Sequence, residues 1–406
     1  MSIQPIPGGV CAPRGFRAAG VHCGIRANRD KPDLALLVSD APASAAAVYT
    51  TNLVKGAPLL VTKEHLRGGT ARAVICNSGN ANTCNADGVG IAEAMCGLVE
   101  AQLGIPAREV IVASTGVIGQ PLPLAPMEAG MPALCGALSY EGGAQAASAI
   151  MTTDTFQKEY AVEFDLGGAP CRIGGMAKGA GMIHPDMATL LAFIATDAAV
   201  EPGLLEIILK ACVESSLNML SIDGDTSTND MCCVLANGLA GGEMISGPGE
   251  ALEAFRQALT QVLTELTRML ARDGEGATKR LECRVTGAKT QRDARLAAKG
   301  VISSSLFKAA MFGADANWGR VLCALGYSGA DLGVSRVGVS FESHAGTICV
   351  CENGAGVPFS EERAALVLAE SEIVIDIALH DGEAAATAWG CDLTYDYVKI
   401  NGDYRT

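Results

Sequence analysis

Short, wholly apolar runs alternate with stretches of helical periodicity along this sequence, and that alternation limits its fold more than any other feature. Residues 73–76 (AVIC) and 108–113 (REVIVA) have the length and composition of buried strands. Between them, residues 90–101 place Ile91, Ala94, Met95 and Leu98 on one helical face. The same spacing recurs in 203–217, through Leu204, Ile207, Ile208, Ala211 and Cys212, and in 249–271, through Leu252, Phe255, Leu259, Val262, Leu266 and Met269. Late in the chain the period falls to two. Val337, Val339 and Phe341 alternate with polar or small residues, 343–347 (SHAGT) offers a turn into 348–351 (ICVC), and 371–379 (SEIVIDIAL) reads as a further strand. Strands interleaved with helices, together with a hairpin signal, predict an α/β protein of mixed sheets. No solenoid period interrupts this pattern. The Gly-rich stretch 167–181 is the best candidate for an interior boundary.

The length of 406 residues suggests two or three domains. Only 18% of residues are charged, so much of the chain should be interior or interface. The 48 glycines set against 4% aromatics predict many tight turns and a core filled by Ala, Val, Ile and Leu. A net charge of −14, with no run of Lys or Arg longer than two, leaves no basic footprint for nucleic acid or an anionic membrane. No apolar run approaches the ~18 residues of a membrane span. The opening MSIQPIPGGVCAPRGF lacks a basic start followed by an apolar stretch, so a cytoplasmic protein is expected. The 15 cysteines include no C-x-x-C pair, and most stand singly among apolar or small residues, as Cys76, Cys212 and Cys323 do. Such thiols behave as small buried hydrophobes in a reducing compartment, and no metal site is expected.

Residues 178–197 (KGAGMIHPDMATLLAFIATD) carry the most chemistry. A Gly-rich turn bearing Lys178 suggests a phosphate cradle, but neither the Gly-Lys-Ser/Thr ending nor the G-x-G-x-x-G spacing is present. A second reading is an N-terminal nucleophile released by internal cleavage. Cutting the Ala188–Thr189 bond would give Thr189 a free α-amine with a pKa near ~8, able to serve as base for its own hydroxyl. A third is a buried threonine at the start of a strand. His184, five residues before Thr189, could assist the cleavage. Asp223, Asp225 and Asp230 suggest a calcium loop, yet the twelve-residue ligand pattern is missing and turn chemistry around Gly224 explains them more simply. Trp318 and Arg320 read as structural.

The segment KGAGMIHPDMATLL resembles the cleavage signature of the ornithine acetyltransferase family, self-processing acyltransferases of arginine biosynthesis. Further segments match the same family in order: NSGNANTCNADG (77–88), ASTGVIG (113–119), AIMTTDT (149–155), SIDGDTSTND (221–230), ARDGEGATK (271–279), GADANWGR (313–320) and NGDYRT (401–406). The resemblance implies a layered α-β-β-α sandwich with mixed sheets and a second, smaller C-terminal α/β domain. It implies cleavage between Ala188 and Thr189 into an α chain 1–188 and a β chain 189–406, which intertwine and assemble as α2β2. Thr189 would take the acetyl group of N2-acetyl-L-ornithine as an ester and pass it to L-glutamate, with acetyl-CoA as a further donor and no cofactor. Thr115 and Gly116 would form the oxyanion hole. Thr152, Lys178, Thr189, Glu275, Asn401 and Thr406 would bind substrate, with Lys178 answering an α-carboxylate and Glu275 the ammonium groups of ornithine. Two alternatives stand beside this reading. One is an amidohydrolase or aminopeptidase of the same fold, in which water resolves the acyl-enzyme. The other is an uncleaved binding protein.

Overall fold

The computed structural model describes residues 3–184 and 190–403. Its strands are β1 (Gln4–Ile6), β2 (Phe16–Val21), β3 (Leu34–Tyr49), β4 (Thr70–Asn77), β5 (Val110–Ser114), β6 (Lys158–Leu166), β7 (Ala169–Lys178), β8 (Leu191–Thr196), β9 (Leu220–Ser221), β10 (Met231–Ala236), β11 (Arg280–Ala288), β12 (Gly338–Ser343), β13 (Gly346–Glu352), β14 (Ala355–Gly356), β15 (Glu372–Ala378) and β16 (Ala384–Cys391). The α-helices are α1 (Ala57–His65), α2 (Gly88–Leu103), α3 (Ala125–Gly136), α4 (Gly143–Ile150), α5 (Pro202–Glu214), α6 (Glu250–Arg272), α7 (Gln291–Ile302), α8 (Ser305–Phe312), α9 (Trp318–Tyr327), α10 (Glu361–Ala369) and α11 (Tyr395–Asp403).

Nine strands form the first sheet, in the order β1-β6-β7-β8-β10-β3-β4-β5, with β2 also paired to β3. The long β3 organises it. Leu34–Val38 pair with both β2 and β4, the register to β4 then shifts between Val38 and Ala43, and Ser44–Tyr49 pair with β10. The two halves of the sheet therefore close over one another. Leu37, Val74, Cys76 and Ile111 from one half meet Met176, Phe193, Ala195, Cys233 and Leu235 from the other in a single buried cluster. Outside one half, Leu36, Ile75 and Val112 pack on Met95 of α2 and Met127 and Met131 of α3. Outside the other, Val162, Ile173, Ile194 and Val234 pack on Leu209 of α5 and Phe255, Val262 and Leu266 of α6. This is the α-β-β-α layering that the family resemblance implies. Strands β8 and β10 are buried on both faces, which is why their sequences are continuous apolar runs without alternation.

The second sheet has seven strands, in the order β14-β13-β12-β15-β11-β16-β9. One face (Leu281, Cys283, Val285, Phe341, Ile373, Ile375, Ile377) joins the core with α7 and α9. Helix α6 begins with Glu250 and Glu253, which suit the positive end of its dipole, and buries a full-length apolar stripe. It touches β6 and β7 of the first sheet and β11 and β16 of the second, so it is the beam between them.

Three expectations need correction. The Gly-rich stretch 167–181 is no boundary. Gly167 and Gly168 (φ 64° and 94°) are the two-residue turn of the β6–β7 hairpin, and Ala169–Lys178 is a strand inside the large sheet. Strand β5 starts at Val110, because Ala107–Glu109 form a short 3-10 turn. Cys323 is exposed on α9, although most of the fifteen free thiols are buried as expected. No helix among the described residues is long and apolar enough to cross a membrane.

Candidate active site

One cleft gathers residues from eight separate segments: Ala81 after β4, Thr115 and Gly116 after β5, Thr152 after α4, Lys178 at the end of β7, Leu190 and Leu191 at the start of β8, Ser227–Asp230 before β10, Glu275 after α6, and Asn401 on α11. Six of the residues expected from sequence thus share one wall or another of it. Ala188, Thr189 and Thr406 lie outside the described residues. Leu190, the next residue after Thr189, lines the cleft, and its carbonyl accepts the Met231 amide at 2.9 Å.

The turn after β5 is held against the NSGN turn after β4. Asn77 accepts the Thr115 amide on its carbonyl (3.0 Å), accepts the Gly79 and Asn80 amides on its side chain, and donates to Ser114 Oγ at 2.6 Å. Gly116 adopts φ 126°, and a Cβ there would lie 2.7 Å from the Gly79 carbonyl carbon and 2.8 Å from the Asn80 nitrogen. Only glycine meets both demands.

Below this turn lies a sealed ionic network. Lys158 Nζ donates to Asp154 Oδ1 at 2.7 Å and to Asp273 Oδ2, and all three side chains are at most 2% exposed. Asp154 also accepts the Gly179 amide (2.7 Å) and the Thr152 amide (2.9 Å), and Asp273 accepts the Thr155 amide. Two substrate-side loops are thereby fixed to one carboxylate. Despite its burial, Asp154 is held far below the usual carboxylate range by Lys178, Lys158 and the Gly179 amide. Burial pushes Lys178 below its ordinary value, opposed chiefly by Asp154. Its ammonium donates to Thr115 Oγ1 at 3.3 Å, which leaves the threonine hydroxyl proton to donate elsewhere.

The C-terminal helix α11 closes one side. Thr394 Oγ1 donates to the Gly276 carbonyl at 2.7 Å, Tyr397 Oη donates to Asp223 at 3.3 Å, and Asn401 Nδ2 donates to Glu275 Oε2 at 2.7 Å. The helix is therefore docked through Thr394, Tyr397 and Asn401. Asp223 is structural, since its two oxygens accept the amides of Met182 and Ile183. His184 is absent from the lining. Its Nδ1 lies 3.0 Å from Ser221 Oγ, and its carbonyl accepts Thr226 Oγ1. Trp318 and Arg320 belong to the start of α9, where Asn317 accepts the Arg320 amide and Arg320 donates to the Leu306 carbonyl.

Sequence reasoning passed over Asn229 and Asp230 as site residues. Asn229 donates to the carbonyls of Ala81 and Ser114 and accepts from Thr83 and Thr228, which welds β10's approach to the turns behind Gly116. Asp230 is 3% exposed, and its Oδ2 has no hydrogen-bond partner among the described residues. A signal was present: three polar residues (TND) stand directly before a wholly apolar strand, where turn chemistry alone does not require burial.

Fold and cleft together define a two-sheet α/β protein with a narrow, charge-lined cleft of the kind that holds a small polar molecule. The chain belongs to the ArgJ family, whose model matches residues 17–406. It is 54% identical over 404 residues to the arginine biosynthesis bifunctional protein ArgJ of Symbiobacterium thermophilum, covering 99% of each chain. It is 49% identical over 405 residues to the protein of the same name from Caldanaerobacter subterraneus subsp. tengcongensis, covering 100% of each. The crystal structure of arginine biosynthesis bifunctional protein argJ from Bacillus halodurans is 42% identical, with a TM-score of 0.51. All of that solved chain is matched, and it covers 53% of this one.

Proposed function

We propose that this chain works as its family does, as a bifunctional acetyltransferase of arginine biosynthesis. It moves the acetyl group of N2-acetyl-L-ornithine to L-glutamate, and it also acetylates glutamate from acetyl-CoA. The observation that carries this reading is the convergence of Thr115, Gly116, Thr152, Lys178, Glu275 and Asn401 on one cleft whose wall includes Leu190.

The precursor cleaves itself between Ala188 and Thr189, and the products, 1–188 and 189–406, stay together. The fully matched Bacillus halodurans chain supports this, since the 53% it spans is close to the share that 189–406 would have. Thr189 then attacks the acetyl carbonyl with its own α-amine as base, ornithine leaves, and glutamate collects the acetyl group in a ping-pong cycle. The Thr115 amide is committed to Asn77, so the oxyanion is met by the Thr115 hydroxyl and the Gly116 amide, with Lys178 polarising that hydroxyl. Glu275, oriented by Asn401, answers the substrate's ammonium groups, and Thr152 and Thr406 complete the binding set. We place the protein in the cytoplasm, in keeping with fifteen free thiols, and assign it an α2β2 assembly.

The intact mass of the purified protein tests this. Two chains meeting at 188/189, with about 42 Da added to the second by acetylornithine and removed by glutamate, are expected. A single chain with no adduct overturns the reading. An adduct discharged equally well without glutamate identifies a hydrolase.

A further inference from the structure

We infer that Asp230 is a proton-storing catalytic acid of this cleft, loaned a proton by the incoming amino acid and giving it to the departing one. The inference rests on the acetyl-transfer reading above. It starts from a charge count. Beneath the cleft, Lys158 and Lys178 face Asp154 and Asp273, two cations against two carboxylates, all of them buried. That set is already balanced. A third carboxylate would be an uncompensated charge at 3% exposure, which is far costlier than a neutral acid. The Cys76 thiol near Lys178 is pushed up to about 12 by burial and adds no charge, and Glu275 in the same cleft, bound by Asn401, brings no cation to offset another carboxylate. Asp230 is accordingly raised well above the usual carboxylate range by its burial, against the pull of the Ser227 hydroxyl and Lys178.

Asp230 also stands at the reaction cleft. Asp230 lines the cleft, its Oδ2 is without a hydrogen-bond partner among the described residues, and its backbone is fixed from both sides. The Thr50 amide donates to its carbonyl at 3.1 Å, and the amide of the next residue, Met231, donates to the carbonyl of Leu190, which adjoins Thr189 in sequence. A buried, unpaired carboxyl oxygen in a reaction cleft is costly unless something it binds arrives with substrate.

The proton balance of the reaction supplies the partner. In the first half-reaction the Thr189 oxygen bonds to the acetyl carbon, the carbon–nitrogen bond to ornithine breaks, and the hydroxyl proton passes through the α-amine to the departing nitrogen. That nitrogen is then a neutral amine. It takes one more proton, from Asp230, and leaves as an ammonium. Asp230 remains as a carboxylate beside Lys178 and Ser227. Glutamate arrives as an ammonium, returns a proton to Asp230, and attacks the ester as a free amine. The carbon–oxygen bond breaks, and the proton lost by the attacking nitrogen restores the Thr189 hydroxyl. No proton is gained or lost over the cycle. The acetyl-enzyme meanwhile holds one extra negative charge, which draws an ammonium-bearing acceptor in preference to water.

The test compares wild type with Asp230→Asn, loading each with acetylornithine and following discharge of the acetyl group by mass. Discharge by glutamate should slow by about 10²-fold in Asp230→Asn, the usual size of a general acid–base effect. Discharge by hydroxylamine, an amine largely unprotonated at neutral pH, should change less than about twofold, because it brings no proton to remove. Equal slowing with both acceptors, or none with glutamate, overturns the proposal. A wild type that never acquires the acetyl group overturns instead the functional reading beneath it. Should Asp230→Asn fail to fold or to process, infrared difference spectra of wild type decide. With carbon-13 acetyl shifting the ester band away, a protonated-carboxyl stretch should vanish on acetylation and return with glutamate. An unchanged carboxyl band overturns the proposal.

Discussion

Beneath the cleft, Lys158 is 0% exposed between Asp154 and Asp273. On the open face of the seven-stranded sheet, Glu282 sits among Arg268, Arg280 and Arg284, whose side chains are 37%, 16% and 43% exposed. Both regions look like ion-pair networks, yet they differ in what happens when one member is lost. Water reaches the arginines and can replace a missing partner. It cannot reach Lys158, so each carboxylate left behind would be stranded. The sealed network also has work that the open one lacks, since Asp154 grips the loops of Thr152 and Gly179. Burial here converts an ordinary charge pair into a rigid fixture of the site.

Removing the central cation should give the largest effect. Lys158→Met is expected to destabilise the protein by about 3–5 kcal/mol, the range for breaking a buried pair, and to abolish acetyl transfer. Urea unfolding and the glutamate-dependent rate check both; a loss below about 1 kcal/mol would erase the contrast. Next comes pH. Asp154 is depressed when folded, so its contribution to stability is complete above the ordinary carboxylate value and is lost as pH falls through its lowered one. Asp230 is raised, so its contribution is complete below the ordinary value and declines as pH rises toward the elevated one. Asp230→Asn should therefore raise the thermal midpoint at about pH 8 relative to wild type and have little effect near pH 4, while Asp154→Asn should flatten the acid limb. Scanning calorimetry across pH distinguishes the two signs. A smaller effect is expected at Glu282→Gln, about 1–2 kcal/mol, since Trp389 Nε1 keeps a neutral acceptor at 3.1 Å and the arginines turn to water. Least of all, Glu372→Gln, which removes an exposed partner of Arg280, should cost under about 0.5 kcal/mol and vanish in high salt.

The sequence discloses some of this architecture readily. Strand β8 and helix α6 are legible because one is an unbroken apolar run and the other keeps helical spacing over its whole length. Most of the cleft was legible through motifs, for the same reason that a turn such as that at Gly116 tolerates no substitute. Other features were hidden by physics that acts at a distance. The fold-over at β3 runs through Ser39–Ala47 (SDAPASAAA), where small residues leave no alternation to read. Lys158 and Asp273 are partners 115 residues apart, and nothing local marks either as buried. Asp230 looked like turn chemistry because Asp is ordinary in turns; only its burial and its bare oxygen distinguish it. Glycines 167–181 misled because glycine marks both the ends of elements and the tight places inside a sheet.

Strands β8 and β10 lie between β7 and β3 in the large sheet. A nick at 188–189 would therefore produce two polypeptides threaded through each other like the fingers of clasped hands. An affinity tag on either one would carry the other through every column short of denaturant. Neither polypeptide could be exchanged alone with that of a distant relative, because each supplies the neighbours that the other's strands need. In recombination experiments the two halves would behave as a single inherited unit, despite having no bond between them.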